Sequence, residues 1–222
     1  MTERSIATRT HGRYLTIPPA ASRPAPMLVG FHGYAEDAEV QLERLRAIPG
    51  SDRWGIVSIQ ALHRFYQRRT NTVVASWMTR QNRDEAIADN AAYVSACLDA
   101  VASEWTTLPV VVFAGFSQGV AMAFRAAAGS ARHVASVMAV GGDVPPEIAP
   151  GELKRVSAAL IARGTADVLY PEEQFIRDQQ RLRECSVNVR AVSLEGGHGW
   201  PGELTAEASR FLQDCLSKIN RF

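Results

Sequence analysis

Six apolar runs recur along the chain: MLVGFHGY, WGIVSIQA, VVVFAG, VASVMAVGG, SAALIARG and VNVRAVSLEGG. Each is too short for a buried helix and is bounded by glycine, proline or polar residues, so each reads as a strand. Segments of helical period fall among them. Residues 38–48 place Val40, Leu42, Leu45 and Ile48 on one face, and residues 84–105 do the same with Ile87, Val94, Leu98, Val101 and Trp105. A small-residue helix is expected over 119–128. Another over 171–184 would carry Phe175, Ile176, Gln179 and Leu182, and a C-terminal one Ala208, Phe211, Leu212, Cys215 and Ile219. Strands alternating with helices call for an α/β fold, a mostly parallel sheet covered by helices on both faces. Two stretches depart from this rhythm. SIATRTHGRYLTIPP alternates around His11 and Gly12 as a short edge hairpin would, before the Pro-rich break SRPAP; residues 62–82 have no clean period and are expected to be an irregular excursion.

The chain has 222 residues and no linker, repeat or low-complexity tract, so a single domain spanning 1–222 is expected. Apolar residues make up 46% of it, enough to bury a sheet on both faces. With 24 Lys and Arg against 23 Asp and Glu, no global field would attract nucleic acid or an anionic membrane. The first twenty residues contain no apolar signal-like run, and nothing approaches the ~20 residues that span a bilayer. Cytoplasmic residence is the default expectation. Cys97, Cys185 and Cys215 lie far apart and form no metal-ligand spacing, so buried thiols are expected, with no metal site.

Chemistry in such sheets gathers at the carboxyl ends of the strands. There, Gly115-Phe116-Ser117-Gln118-Gly119 fits G-x-S-x-G between a strand and a helix. Glycines at both flanks permit a sharp turn, and the helix N-terminus aims N–H groups at charge developing beside Ser117. The plainer alternative is a serine that caps the helix. A serine nucleophile needs a base and an acid that orients it. Of five histidines, only His198 in EGGHGW follows the last strand between glycines; Asp167, in ARGTADVLYP, ends an earlier one. Asp143 and Glu195 compete with Asp167, which is favoured because its turn is short and fixed. The order Ser117, Asp167, His198 is that of the α/β-hydrolase triad. An oxyanion hole would use the backbone N–H of Gln118 and one from the loop His32-Gly33-Tyr34, for which Tyr34 is the choice.

FHGYAEDA, GFSQG, GTADVLYP and GGHGW, in that order, resemble the phospholipase/carboxylesterase family of α/β-hydrolases, which includes acyl-protein thioesterases. The resemblance runs from about Met27 to Phe222. It implies a single-domain α/β-hydrolase without a large lid, with Ser117, Asp167 and His198 as triad and Tyr34 and Gln118 as main-chain donors. Hydrolysis of small-molecule esters or thioesters without cofactor or metal is implied as well. Trp77 in ASWMT matches a tryptophan that lines the acyl site in members of the family; a core tryptophan is the alternative. Departures fall at Val120 where a second glycine is usual, at Tyr34 in place of a small aliphatic, and at Trp77-Met78-Thr79, which lacks an acidic residue. All three are expected near the substrate. The favoured expectation is a carboxylesterase for small or medium acyl groups. A thioesterase or lysophospholipase is the alternative, and a ligand-binding module without turnover is the rival from another class. Arg64, Arg68 and Arg69 could meet an anionic substrate or simply be solvated.

Overall fold

A computed structural model describes residues 1–2, 4–20 and 24–219 of the chain. Its elements run β1 (Arg13–Ile17), β2 (Ala25–Phe31), α1 (Ala38–Arg46), β3 (Gly55–Gln60), β4 (His63–Gln67), β5 (Thr72–Ser76), α2 (Arg83–Glu104) and β6 (Thr107–Phe116). They continue as α3 (Gln118–Gly129), β7 (His133–Val140), the short α4 (Pro150–Leu153), β8 (Ala158–Gly164), α5 (Glu172–Glu184), β9 (Asn188–Leu194) and α6 (Leu204–Ile219). Seven strands form one sheet in the order β1-β3-β2-β6-β7-β8-β9. Only β1 runs antiparallel, against β3. The expected mostly parallel sheet is therefore present.

Alternation along the strands divides the core into two layers. Met27, Val29 and Phe31 point to the side covered by α2, α3 and α5, whereas Leu28 faces α1 and α6. Where the expected helical faces fail, a buried polar side chain has taken an apolar place. In α1 it is Gln41 that turns inward, and Val40 is exposed. In α5 Ile176 is exposed and Asp178 is buried, because the Asp178 carboxylate accepts from Tyr170 Oη at 2.9 Å and from the Val144 N–H at 3.2 Å. Those bonds offset the desolvation of a polar group that periodicity alone assigns to the surface.

Two other expectations are corrected. The N-terminal segment supplies only the edge strand β1, with no hairpin around His11, because β1 takes its partner from β3. Residues 62–82 are not irregular: β4 and β5 pair antiparallel from His63–Ser76 to Gln67–Thr72 in a separate two-stranded ribbon. One end of that ribbon is pinned to the sheet. The Ala35 N–H donates to Ala75 O at 3.0 Å and the Ala75 N–H to Glu36 O at 2.8 Å, beside the carboxyl end of β2. Ser22 and Arg23 of the expected Pro-rich break, and the last three residues, lie outside the described residues. Among the described residues no helix is long and apolar enough to cross a membrane, and the three cysteines are buried and free.

The strand ends meet with almost no space between them. A Cβ on Gly119 would lie 2.2 Å from Phe31 O, and one on Gly115 2.3 Å from Gly119 O. Gly119→Ala should therefore cost about 1–3 kcal/mol of stability through overpacking against main chain that cannot retreat, measured as a lower urea midpoint with an unchanged m-value. His32 ties β2 to β3: its Nδ1–H donates to Gly33 O at 2.7 Å, and Nε2 accepts the Ala61 N–H at 3.0 Å. Burial lowers its pKa below the ordinary 6.5. Below about that pH the unfolded chain binds a proton that the folded chain refuses, so this contribution to stability is present above pH 6.5 and declines as pH falls. The slope is at most about 1.4 kcal/mol per pH unit. Denaturation at pH 7.5 and 5.0 should show the loss, and His32→Gln should flatten it; an equally steep profile in the variant would clear His32 as its cause.

Candidate active site

The turn from β6 into α3 places Ser117 at φ 50°, ψ −121°, a conformation that side-chain-bearing residues rarely adopt. Main chain holds it there. The Ser117 N–H donates to Val140 O at 2.8 Å, its carbonyl accepts the Val120 N–H at 2.9 Å, and a Cβ on Gly142 would sit 2.4 Å from Ser117 O. Although Ser117 occupies the N-cap position of α3, its hydroxyl caps nothing. The Oγ instead lies 2.9 Å from His198 Nε2. Of the two readings open in the sequence, a helix cap and a hydroxyl presented to a base, the geometry matches the second.

His198 follows β9 in a loop that closes over the end of β8. A Cβ on Gly164 would come within 2.2 Å of Gly197 O, and the Ala166 N–H donates to Gly196 O at 2.8 Å. The approach brings His198 Nδ1 to 2.9 Å from Asp167 Oδ2. Asp167 is nearly enclosed, with the N–H groups of Leu169 and Tyr170 donating to Oδ1 at 2.9 and 3.0 Å. One oxygen is thus fixed by the loop and the other is left for the imidazole. An ionised carboxylate only accepts, so Nδ1 carries the ring proton and Nε2 turns its lone pair to Ser117. The ring rests on Phe116, with centroids 5.1 Å apart. Asp143 and Glu195 are both exposed, and neither bonds to His198 among the described residues.

The loop after β2 is braced by a carboxylate that sequence reasoning passed over. Glu36 Oε2 accepts the Gly33 N–H at 2.8 Å, and both its oxygens accept from Arg44 at 2.6 Å. Arg44 in turn stacks over Phe116 at 4.3 Å, on the ring that supports His198. Spacing offered a signal: Glu36 stands three residues after Gly33, within reach of the loop's own N–H. Neither the Tyr34 N–H nor the Gln118 N–H has a partner among the described residues. The Gln118 side chain is occupied elsewhere, its Oε1 accepting the Trp77 N–H at 2.8 Å.

Trp77 requires a correction. Its side chain has no exposed surface; the indole N–H donates to His32 O at 2.8 Å, and the ring packs edge-on against Phe31. It is a core residue that supports the loop after β2 and does not contact the cavity beside Ser117. Val120 is likewise fully buried and stands outside that cavity, while Tyr34 is 61% exposed and stacks on Phe65. Only Met78 among the departures lines the site.

The cavity measures about 290 Å³ and is bordered by Ser117, His198, Met78, Arg125, Asp143 and Leu169. A larger, mainly apolar hollow of about 590 Å³ lies at the amino ends of β6, β7 and β8, among Pro109, His133 and Ile219, away from these groups. Among the described residues no three His, Cys, Asp or Glu side chains gather as metal ligands. A serine hydroxyl, an imidazole and a carboxylate in line are parts that acyl transfer requires.

No curated protein sequence matches this chain significantly. Solved structures show the same fold at low identity. The chain is similar to esterase PE8 (TM-score 0.71, 19% identity), covering 93% of this chain and 100% of that one. It is similar to acyl-protein thioesterase 2 of Zea mays to the same extent, with TM-score 0.71, 19% identity and coverage of 93% and 100%. The Bacillus cereus carboxylesterase gives a TM-score of 0.70 at 15% identity over 92% of this chain and 94% of that one. Residues 13–216 match the family described as Phospholipase/Carboxylesterase, and this chain, with its α/β-hydrolase sheet, belongs to that family.

Proposed function

We propose that the protein is a serine hydrolase that cleaves carboxylic esters of small or medium acyl groups through an acyl-enzyme on Ser117. The observation that carries the reading is the unbroken line Ser117 Oγ, His198, Asp167, with 2.9 Å at each step. His198 Nε2 takes the hydroxyl proton as Oγ attacks the ester carbonyl. Asp167 keeps the imidazole in the tautomer that can accept it and balances the imidazolium that results. Charge developing on the carbonyl oxygen is met by the N–H groups of Tyr34 and Gln118, supported by the positive end of α3. Collapse expels the alcohol, which receives the proton from His198; water, activated by the same nitrogen, then releases the acid. A cavity of about 290 Å³ favours compact acyl groups. Thioesters need the same machinery, and the likeness to a plant acyl-protein thioesterase keeps them as the second reading. A ligand-binding module without turnover would have no use for a strained serine aligned with a base and an acid.

Ser117→Ala should abolish labelling by a fluorophosphonate and lower turnover of p-nitrophenyl butyrate roughly 10⁴- to 10⁶-fold. Asp167→Asn should cost about 10⁴-fold in kcat by stabilising the wrong tautomer. Full activity in Ser117→Ala would refute the mechanism, and near-parental activity in Asp167→Asn would return the acid's role to Asp143 or Glu195.

Glu36 acts at one remove, by fixing the loop that presents the Tyr34 N–H. Glu36→Ala should lower kcat on the order of 10- to 100-fold while moving KM little, since a misplaced donor loses transition-state contacts first. Steady-state kinetics on the same ester separate this from a change in substrate binding, which would appear in KM.

A further inference from the structure

Helix α3 turns Gln118, Ala121 and Arg125 to the cavity, residues spaced by three and four on one face. Arg125 is unusual there. Its side chain is only 6% exposed, yet among the described residues part of its guanidinium has no oxygen to donate to. Nε and Nη2 donate to Glu147 Oε1 at 2.9 and 2.5 Å, whereas Nη1 reaches only the Met78 thioether, at 3.6 Å. Sulfur is a weak acceptor on a flexible side chain. Both Met78 and Arg125 border the same cavity as Ser117 and His198.

The surrounding charges leave this cation incompletely neutralised. Arg83 Nη2 also donates to both oxygens of Glu147 at 3.2 Å, so one carboxylate serves two guanidiniums. Burial, the strongest single influence, disfavours ionising Glu147, but the hydrogen bonds and charge of Arg125, a backbone hydrogen bond and the hydrogen bond from Arg83 together outweigh it and hold the pKa below its ordinary value. Asp84, 3.7 Å from Arg83, is 94% exposed and screened by water. Asp143, at the cavity edge, bonds to neither arginine among the described residues.

We propose that this wall is a carboxylate subsite, and that the preferred substrate is a half-ester of a short dicarboxylic acid. The esterified end would lie at Ser117, and the free carboxylate would replace Met78 as the acceptor for Arg125 Nη1, with Arg83 at the rim. The proposal rests on Ser117 being the nucleophile. Seven residues separate Gln118 from Arg125, an axial rise of about 10 Å, and helix side chains tilt back toward the N-terminus, shortening the gap. A five-carbon diacid extends about 5 Å between its carboxyl carbons, and the length of the Arg125 side chain and a hydrogen bond of about 3 Å cover the remainder. A guanidinium edge suits a planar monoanion. A phosphate dianion fits poorly, because Glu147 stays in place on the other edge and repels the extra charge.

The test compares monomethyl glutarate with dimethyl glutarate, following acid release by pH-stat on the full chain. The ratio of kcat/KM, acidic over neutral, cancels effects common to both esters. It should be about tenfold or more in the parent, fall at least about tenfold in Arg125→Met, and rise in Glu147→Gln, where both guanidiniums lose their competing anion. A parental ratio near or below one overturns the proposal, as does an unchanged ratio in a folded Arg125→Met protein. Should that variant not fold, an unchanged ratio in Glu147→Gln overturns it equally. Preference for 1-butyrylglycerol 3-phosphate over monomethyl glutarate would identify a phosphate subsite and also reject it. Failure of the nucleophile looks different: fluorophosphonate does not label Ser117 and neither ester turns over. Calorimetric binding of glutarate then decides for the subsite if observed and against it if absent.

Discussion

The main-chain contact between the start of α3 and the end of β2 governs the rest of the site. Gly119 lies against Phe31 O and Gly115 against Gly119 O at separations that leave no room for a Cβ. Such an approach is possible only if the chain reverses within one residue, and that residue is Ser117, held at positive φ. Strain of this kind costs on the order of 1–3 kcal/mol and persists only where neighbouring structure over-determines it. Here the determination comes from three sides: the Val140 carbonyl on the Ser117 N–H, the Val120 N–H on its carbonyl, and Gly142 packed against the same carbonyl oxygen. The same geometry lifts the hydroxyl out of the N-cap role and leaves the Gln118 N–H free.

Parallel register then brings other strand ends to the same place. Because β8 and β9 pair from Ala158–Asn188 to Gly164–Leu194, the loops after them begin side by side, and His198 reaches Asp167 without a long excursion. On the opposite side, Glu36 and Arg44 link the loop after β2 to Phe116, whose ring carries His198. The two flanks of Ser117 are therefore coupled through one aromatic ring. The pair is partly shielded, with side-chain exposures of 16% and 21%, and bidentate, a geometry that resists splaying better than a single surface ion pair.

Much of this was legible in the sequence, and the failures share a cause. Short apolar runs gave the sheet, and polar residues in the turns at their ends, Ser117 and His198 between nearby glycines and Asp167 three residues after Gly164, singled out three side chains that the structure brings together, because both signals are local. The ribbon of β4 and β5 was hidden: HRFYQ and TVVAS bury too few side chains for alternation to stand out, and each strand's partner is the other rather than the sheet. Asp178 and Gln41 read as surface residues since the neighbours that surround them come from other parts of the chain. Trp77 and Val120, matched to the substrate region by resemblance, proved to be core, for a position in a motif does not say which way the side chain turns.

Arg125 belongs to the same class of hidden features, and its energetics separate it from the rest of the core. A buried guanidinium loses hydration worth several kcal/mol, and pairing with a carboxylate seldom returns more than it loses. A leucine or methionine on that face of α3 would pack against Met78 at no such cost. Stability therefore does not explain a cation at this position. Nor does Glu147 fully answer it, being 36% exposed and divided between two arginines. What remains is an electrostatic potential directed into a cavity that also holds the Ser117 hydroxyl. In a partly dehydrated cleft such a potential acts on any anion more strongly than it would in water, so with Ser117 as the proposed nucleophile, Arg125 would bias which acyl groups come to rest beside it before any bond is broken.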